Sequence, residues 1–581
     1  MLRNKKYNLL IIILGCIAAI LLAQQWHYRA DVTAEKRFTI TAATENLIDS
    51  ITEPIHIKVL LNGNLPADYK KLAIATTDLL EEFSARSNRK ITVSYETPGE
   101  GLNDTTKYQL FDSLQRMGVV FERSSEIVAN DNKNTEQLIT PSAIVSDANG
   151  KAITVDLRSS KKVFKQYNIL TDIPEEDKEA TRNAAEALLE FKFANAIDKL
   201  TRKRVPTIAY VVGNGQPIDL TVNDLGESLR NDYRLAIFDL KKGYPQANQI
   251  DALLIVKPTQ PFTDEDKLKL DQYVMNGGNI IWCVDKVYAE LDSLMRSQAD
   301  FVAFDRNLNI DDLLFKQGVR INNDLVQDLN CSKIPLIIGY NPDNSPRMQR
   351  IPWPYYPFVS GLGNSAITKN LDRVLPIFPG SIDTVKAPNI EKTILLATDT
   401  NSKRVASPAL VTLNNIRSEN DFLQFNKSYV PIAVLCEGSF SSLYTNRISA
   451  ALKDSVQAAT GIPFTARANQ PSKQIFIADA DVVTNVVTKT DGPLEMGMLP
   501  FEAYRFANRE FLLNCVDYLV SERPLYEARN KELQLRLLDK EKLNTNSSFW
   551  QLINTLIPIL LVLLFGISFN SLRKRKYATT Q

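Results

Sequence analysis

The chain of 581 residues carries 68 Lys or Arg against 67 Asp or Glu, a formal net charge of +1, and only two histidines. That balance leaves no electrostatic footprint for nucleic acid, and His27 and His56 alone exclude a His-based triad and nearly every His-containing metal site. The 23% charged and 44% hydrophobic content is ordinary for a globular protein, and roughly 520 residues between two apolar ends are too many for one core.

Residues 1–6 carry Arg3, Lys5 and Lys6, and an apolar run from Leu9 to Ala23 follows, with Trp26 beyond it. Residues 7–26 read as an uncleaved transmembrane helix whose basic end is cytoplasmic. A cleaved signal peptide is the competing reading, for which Leu22-Ala23 before Gln24 is a poor cleavage site.

Residues 31–160 read as a small α/β domain. Ile55 to Leu61 alternates and then runs apolar, as a half-buried strand would, and Tyr69 to Ser84 shows helical spacing. Ile91 to Tyr95 is a second strand, so the βαβ opening predicts a parallel pair. Asp112 to Met117 reads as a helix, and Ala143–Val145 with Ile153–Leu157 as a hairpin around Asn149-Gly150.

Residues 161–204 read as a helical linker. Asp172-Ile173-Pro174-Glu175 matches an N-terminal capping pattern, and Glu179 to Leu200 keeps helical spacing. The Arg202-Lys203-Arg204 run suits the negative end of the helix dipole better than it suits nucleic acid.

From 205 to 525 strands and helices alternate. Strands are expected at 207–212, 235–240, 252–256 and 280–284, and helices at 223–232 and from the Thr263/Asp266 cap to Gly277-Gly278. Right-handed crossovers between them predict a doubly wound sheet, hence an α/β fold class. Leu435 to Phe440 reads as a strand followed by a turn, and Phe506 to Leu519 as a closing helix.

Chemical motifs are few. After the first strand of that sheet stands Gly213-Asn214-Gly215-Gln216, but a dinucleotide fingerprint would place Gly or Ala where this chain has Ile218. No P-loop and no nucleophile elbow occur. Asp479 and Asp481 follow a strand at 475–477; without a third ligand they read as a solvated strand end. No cofactor or metal is therefore expected. Cys283, Cys331, Cys436 and Cys515 lack zinc spacing and read as buried thiols, with a disulfide left open. The stretch Pro352 to Phe358 either offers Trp353 and its neighbours to a sugar or peptide or packs as an extended core segment, and the second reading is preferred. Since open α/β sheets bind ligands beyond their strand ends, the candidate ligand site is Gly213, Asn214, Gly215 and Gln216, with Trp353.

Residues 526–548 read as an amphipathic juxtamembrane helix and 549–569 as a transmembrane helix, with the basic tail 570–581 containing Arg573 to Lys576. A buried core helix is the alternative, although core helices seldom run so long without charge. Gln551, Asn554 and Pro558 share one face of the span and are candidates for contact with a partner helix. Both termini are then cytoplasmic, and residues from roughly 27 to 548 lie outside.

A resemblance now has residues to carry it. Asp31-Val32-Thr33, Lys36-Arg37-Phe38-Thr39, Gly213 to Gln216, Phe262 to Glu265, Leu270 to Gly278, Leu291 to Leu294, Asp311 to Phe315, Gly318 to Asn322 and Leu537 to Lys540 stand in the order and spacing of the GldG family. These are gliding-motility-associated ABC-transporter auxiliary proteins of Bacteroidetes, and the likeness runs over essentially the full length. The resemblance implies a non-enzymatic subunit partnered by a GldF-like permease and a separate GldA-like ATPase. It also implies a central domain similar to class I glutamine amidotransferases without their amidase residues. The family often has Glu where this chain has Gln216, which weakens any acid–base role at that turn. The rival expectation is a receptor for an extracytoplasmic glycan or peptide, or a degenerate amidotransferase-like enzyme.

Overall fold

Alternating burial along Ile55–Val59, with Ile55, Ile57 and Val59 inward, makes this strand the centre of a four-stranded sheet. The computed structural model describes residues 39–127, 134–159, 161–163, 176–290, 300–413, 419–502, 504–521, 523, 525–529 and 547–577. The expected span at 7–26, the capping stretch at 172–175 and most of the juxtamembrane helix lie outside these described residues. The chain divides into two compact units, residues 1–532 and 533–581.

In the first unit, Ile55–Val59 pairs parallel with Ile91–Tyr95 across the helix Ala67–Arg86, the βαβ unit that the sequence predicts. On its other side it pairs antiparallel with Ser142–Asp147, which turns through Gly150 into Ala152–Asp156. A second hairpin, Glu122–Ile127 with Asn134–Ile139, is not foreshadowed by any alternation in its polar sequence. The helix expected at 112–117 is longer, Asp104–Arg116, because Asn103 caps it by accepting from the Thr106 N–H.

The helix read as a linker, Lys178–Thr201, starts at Asp177, whose side chain accepts from the Ala180 N–H at 3.0 Å. It is packed rather than free. Ala185, Leu189, Phe193 and Ile197 are buried against Leu47, Leu72, Phe83 and the inward face of the sheet. Its apolar stripe gives the small sheet the second layer that a one-sided sheet needs.

The following region is built on an eight-stranded mixed sheet. Five strands are parallel, in the spatial order Arg234–Asp239, Thr207–Val212, Ala252–Val256, Asn279–Cys283, Ser472–Ile477. Three more continue it in antiparallel sense: Pro431–Gly438, Ile390–Ala397 and Ser360–Gly361. The sequence predicts the parallel half. The antiparallel half arises because the connection from Cys283 to Ser472 is long enough to return three strands to the open edge. Alternate residues of the parallel strands enter two cores. On one face Tyr210, Leu254, Ile281 and Ile475 meet the helices Asn223–Arg230 and Asn508–Val520. On the other, Val211, Leu253, Trp282 and Phe476 meet Asp264–Met275. That last helix begins in the expected capping box, with the Asp266 N–H donating to Thr263 Oγ1 at 3.2 Å and the Thr263 N–H to Asp266 Oδ2 at 2.9 Å.

Between Cys283 and Ser472 the chain also builds small β-pairs, the longest being the hairpin Cys331–Tyr340 with Pro346–Pro357. Trp353, Tyr355 and Tyr356 are buried there around Phe378, as the packed-segment reading expects.

The described residues of the second unit form one continuous helix, Ser547–Tyr577, interrupted in sequence only by Pro558. Its segment Phe549–Arg575 is long and apolar enough to cross a membrane.

Candidate functional site

In the parallel half the chain leaves Thr207–Val212 in one direction, towards Arg234–Asp239, and returns in the other, towards Ala252–Val256. The crevice beyond the carboxyl ends at such a reversal is where open α/β sheets take ligands. Here it holds a cleft of about 540 Å³, lined by Pro217 and Thr221 after the first strand, Lys257 after the third, Asp481 and Thr484 after the fifth, and Tyr356. The Gly497–Phe501 segment closes its far side with Met498, Leu499 and Phe501.

Lys257 is the charged centre of this edge. Its backbone sits in the left-handed region at φ +47°, unusual for a lysine and a form of local strain that gathers at functional sites. Its ammonium is 2.6 Å from Asp481 Oδ1 and 3.5 Å from Asp285 Oδ2. Thr484 Oγ1 donates to the same Asp481 oxygen at 2.7 Å. Asp285 accepts the Ala480 N–H at 2.6 Å, and Asp479 accepts the Asp481 N–H at 2.7 Å and the Ile377 N–H. Burial works against the Lys257 charge, but Asp481 and Asp285 outweigh it and hold its proton above the ordinary lysine range. Burial, followed by repulsion from Asp481 and Asp285, pushes the Asp479 carboxyl well up. Burial also raises Asp285 in spite of Lys257.

Asp479 is therefore not part of a solvated strand end, as the sequence suggests: it is 1% exposed. The pairing partner that the sequence reading missed is Lys257. A signal for it exists, because Lys257, Asp285 and Asp479 each follow directly on a buried apolar run, at 252–256, 280–284 and 475–478. Three charges placed one step past three neighbouring strands must meet at one edge.

The residues expected to bind ligand lie beside the cleft instead of lining it. The Asn214 N–H donates to Gln216 Oε1 at 2.8 Å, and its amide donates to Asp266 Oδ2 at 3.2 Å and the Pro261 carbonyl at 3.3 Å. The Asn214 carbonyl accepts the Thr259 and Gln260 N–H groups at 3.0 Å each. Gly213 and Gly215 both have positive φ, and a Cβ on Gly215 would stand 2.2 Å from Thr259 Oγ1. The turn thus latches the first strand to the cap of the Asp264–Met275 helix. Trp353 is 1% exposed, inside the core of the inserted strands. It is Pro217, next to the turn, and Tyr356, three residues beyond Trp353, that reach the cleft.

No thiol is poised for catalysis among the described residues. Cys283, Cys331, Cys436 and Cys515 are free. Burial raises all four, Cys331 and Cys436 to about 12, so the thiolate form is disfavoured. His56 is on the small sheet, between Thr92 Oγ1 at 3.1 Å and Ser94 Oγ at 2.9 Å.

Residues 205–515, more than half of the chain, match the family described as ABC-type uncharacterized transport system. The chain belongs to this family. It is an auxiliary component of an ABC-type transport system, and membership implies association with ABC-transporter components. Residues 34–146 match a domain of unknown function, DUF7088. No curated protein matches the sequence. Among solved structures, the auxiliary protein is similar to the mmIFT52 N-terminal domain, with 13% identity, 54% of this chain and 97% of that chain covered, and a TM-score of 0.30. A putative ThuA-like protein from Parabacteroides merdae matches at 10% identity, with 55% and 92% covered and a TM-score of 0.26. The exo-beta-1,4-mannosidase Op5Man5 from an Opitutaceae bacterium matches at 10% identity, with 62% and 40% covered and a TM-score of 0.20.

Proposed function

We propose that this auxiliary component is a non-enzymatic subunit of a membrane complex resembling the gliding-motility system, held by its apolar helices to a permease and a separate ATPase. Its large region faces the periplasm, with both termini cytoplasmic, and its central domain is a doubly wound, amidotransferase-like sheet. The observation that carries the reading is the family match over the central region together with the apolar helix that follows it. The suppressed thiols support the absence of amidase chemistry. Purification of the tagged full chain in mild detergent tests it: permease and ATPase should co-purify in fixed ratio. A chain that elutes alone at native expression levels overturns the reading.

The membrane helix supplies a contact. Gln551, Asn554 and Pro558 recur at three- and four-residue spacing, and Pro558 lacks the N–H that would bond the Asn554 carbonyl. A partner donor would satisfy that carbonyl in hydrocarbon. Cysteine at position 554 should crosslink to the permease while cysteine at 556 does not, and equal labelling at both positions sinks the contact.

A second reading is favoured by the cleft itself, whose aromatic and apolar wall at Tyr356, Met498 and Phe501 stands beside a polar floor at Asp481 and Thr484. It makes the subunit a receptor for a neutral or cationic glycan or peptide, since the one lysine there is already neutralised. Met498→Trp, which fills the cleft, should then leave complex assembly intact and abolish transport-dependent function. Unchanged function would remove this reading.

A further inference from the structure

A second cavity lies between the small sheet domain and the large sheet, with a volume of about 630 Å³. Its walls come from the end of the Ala152–Asp156 strand, the Lys178–Thr201 helix, the Asn508–Val520 helix and Arg529. Six cationic side chains line it against four carboxylates. Each carboxylate is already engaged. Asp156 holds Arg158 at 2.8 Å, Glu510 holds Arg505 at 2.6 Å and Asp232 holds Lys199 at 2.6 Å. Asp517 accepts from the Tyr233 hydroxyl and lies 3.8 Å from Lys199.

Of the other three cations, Arg116 pairs with Asp112 at 2.8 Å, and Lys192 and Arg529 are left over. Arg529 is only 5% exposed, and its guanidinium has one acceptor among the described residues, the Lys369 carbonyl at 3.1 Å from Nε, with the Phe191 ring beneath it. Lys192 donates to the Asp156 carbonyl at 2.6 Å and to the Arg158 carbonyl, with no carboxylate in contact among the described residues. Burial lowers both, Arg529 to about 10, and outweighs the pull of Asp517 and Glu510 on Arg529 and of Asp156 on Lys192; Arg158 and Arg529 add to the depression at Lys192. A buried guanidinium with its terminal N–H groups uncommitted is costly unless an anion completes it. Polar acceptors flank the same space. Asn195 spends its amide N–H on Asp517 at 3.3 Å and Asn514 on the Ile367 carbonyl at 3.0 Å, which leaves an amide oxygen on each.

We propose that this crevice binds a hydroxylated small-molecule oxyanion, a sugar phosphate or a sugar acid, with Arg529 and Lys192 on the oxyanion and Asn195 and Asn514 on its hydroxyls. The volume lies within the range of small-molecule sites. The site is separate from the carboxyl-edge cleft, so the two stand or fall independently.

Titration calorimetry and thermal shift on the detergent-solubilised full chain test it with glucose 6-phosphate, glucuronate and glucose. At least one of the anions should bind saturably and raise Tm, and glucose should not; which anion binds separates phosphate from carboxylate. Arg529→Gln should weaken binding by about tenfold or more, as expected for loss of charge-assisted hydrogen bonds. Arg529→Lys, which keeps the charge, should bind more tightly than Arg529→Gln. Should Arg529→Gln fail to fold, Lys192→Gln gives the same reading. No saturable binding of either anion, equal affinity in wild type and variant, or glucose binding as well as the anions overturns the proposal.

Discussion

Lys257 at the carboxyl edge and Arg529 in the crevice between the two sheets are both cations taken out of water, yet their surroundings are opposite. Lys257 is clasped by Asp481 and Asp285, with Asp479 behind them, so its charge is spent inside the fold. Arg529 meets a carbonyl and an aromatic ring and keeps donors free. The comparison separates a charge that organises structure from one that is available to a ligand. A compensated buried pair is costly to break, whereas a cation with no carboxylate in direct contact, and only the more distant pull of Asp517 and Glu510, keeps most of its desolvation cost and is cheaper to remove.

The largest effect should come from breaking the clasp. Lys257→Met leaves three carboxyls without their cation and should destabilise the protein by about 3–5 kcal/mol at pH 7, read by urea unfolding. The loss should shrink towards pH 4.5. Asp285 and Asp479 already have folded values above the ordinary carboxylate range, so their protonated forms favour the native state. Stability from them is present at low pH and falls as pH rises through the raised values, and removing the lysine steepens that fall. A deficit equal at both pH values breaks the electrostatic account.

Asp481→Asn keeps an acceptor for Lys257 and Thr484 but removes the charge. It should cost about 1.5–3 kcal/mol, the range for a hydrogen bond to a charged group, because Asp285 at 3.5 Å still shares the lysine. A larger loss than in Lys257→Met would mean that the lysine is not the centre of the cluster.

Arg529→Met should change stability by no more than about 1 kcal/mol, since relief of the burial cost offsets the lost Lys369 bond and the pull of Asp517 and Glu510. A loss matching that of Lys257→Met would make Arg529 a structural cation like the other and erase the contrast.

The smallest effect is none at all. Cys283, Cys331, Cys436 and Cys515 should stay unalkylated by iodoacetamide at pH 8 in the native protein and react after unfolding, as peptide mapping would show. Rapid native labelling of Cys283 would reopen a nucleophilic role at the carboxyl edge.

Local rules settled a great deal from sequence alone. Alternation at Ile55–Val59, the Thr263/Asp266 cap, the apolar runs at 207–212, 252–256 and 280–283 and the apolar stretch after Trp550 each depend on residues within one or two turns of one another. Short-range periodicity therefore reveals them. It also placed the Gly213–Gln216 turn at the carboxyl end of the Thr207–Val212 strand, next to Pro217, which lines the cleft. What tertiary structure decided was every property that needs two distant segments at once. The sheet is mixed because Ile390–Ala397 and Pro431–Gly438 return to its open edge from a long excursion. Asp481 is a partner and not a solvated end because Lys257, 224 residues away, lies two strands over. Arg529 is a buried cation only because the small domain closes over it through Phe191 and Lys192. Burial and pairing of charge depend on distances in space, and no periodicity along a chain encodes which strand ends will meet.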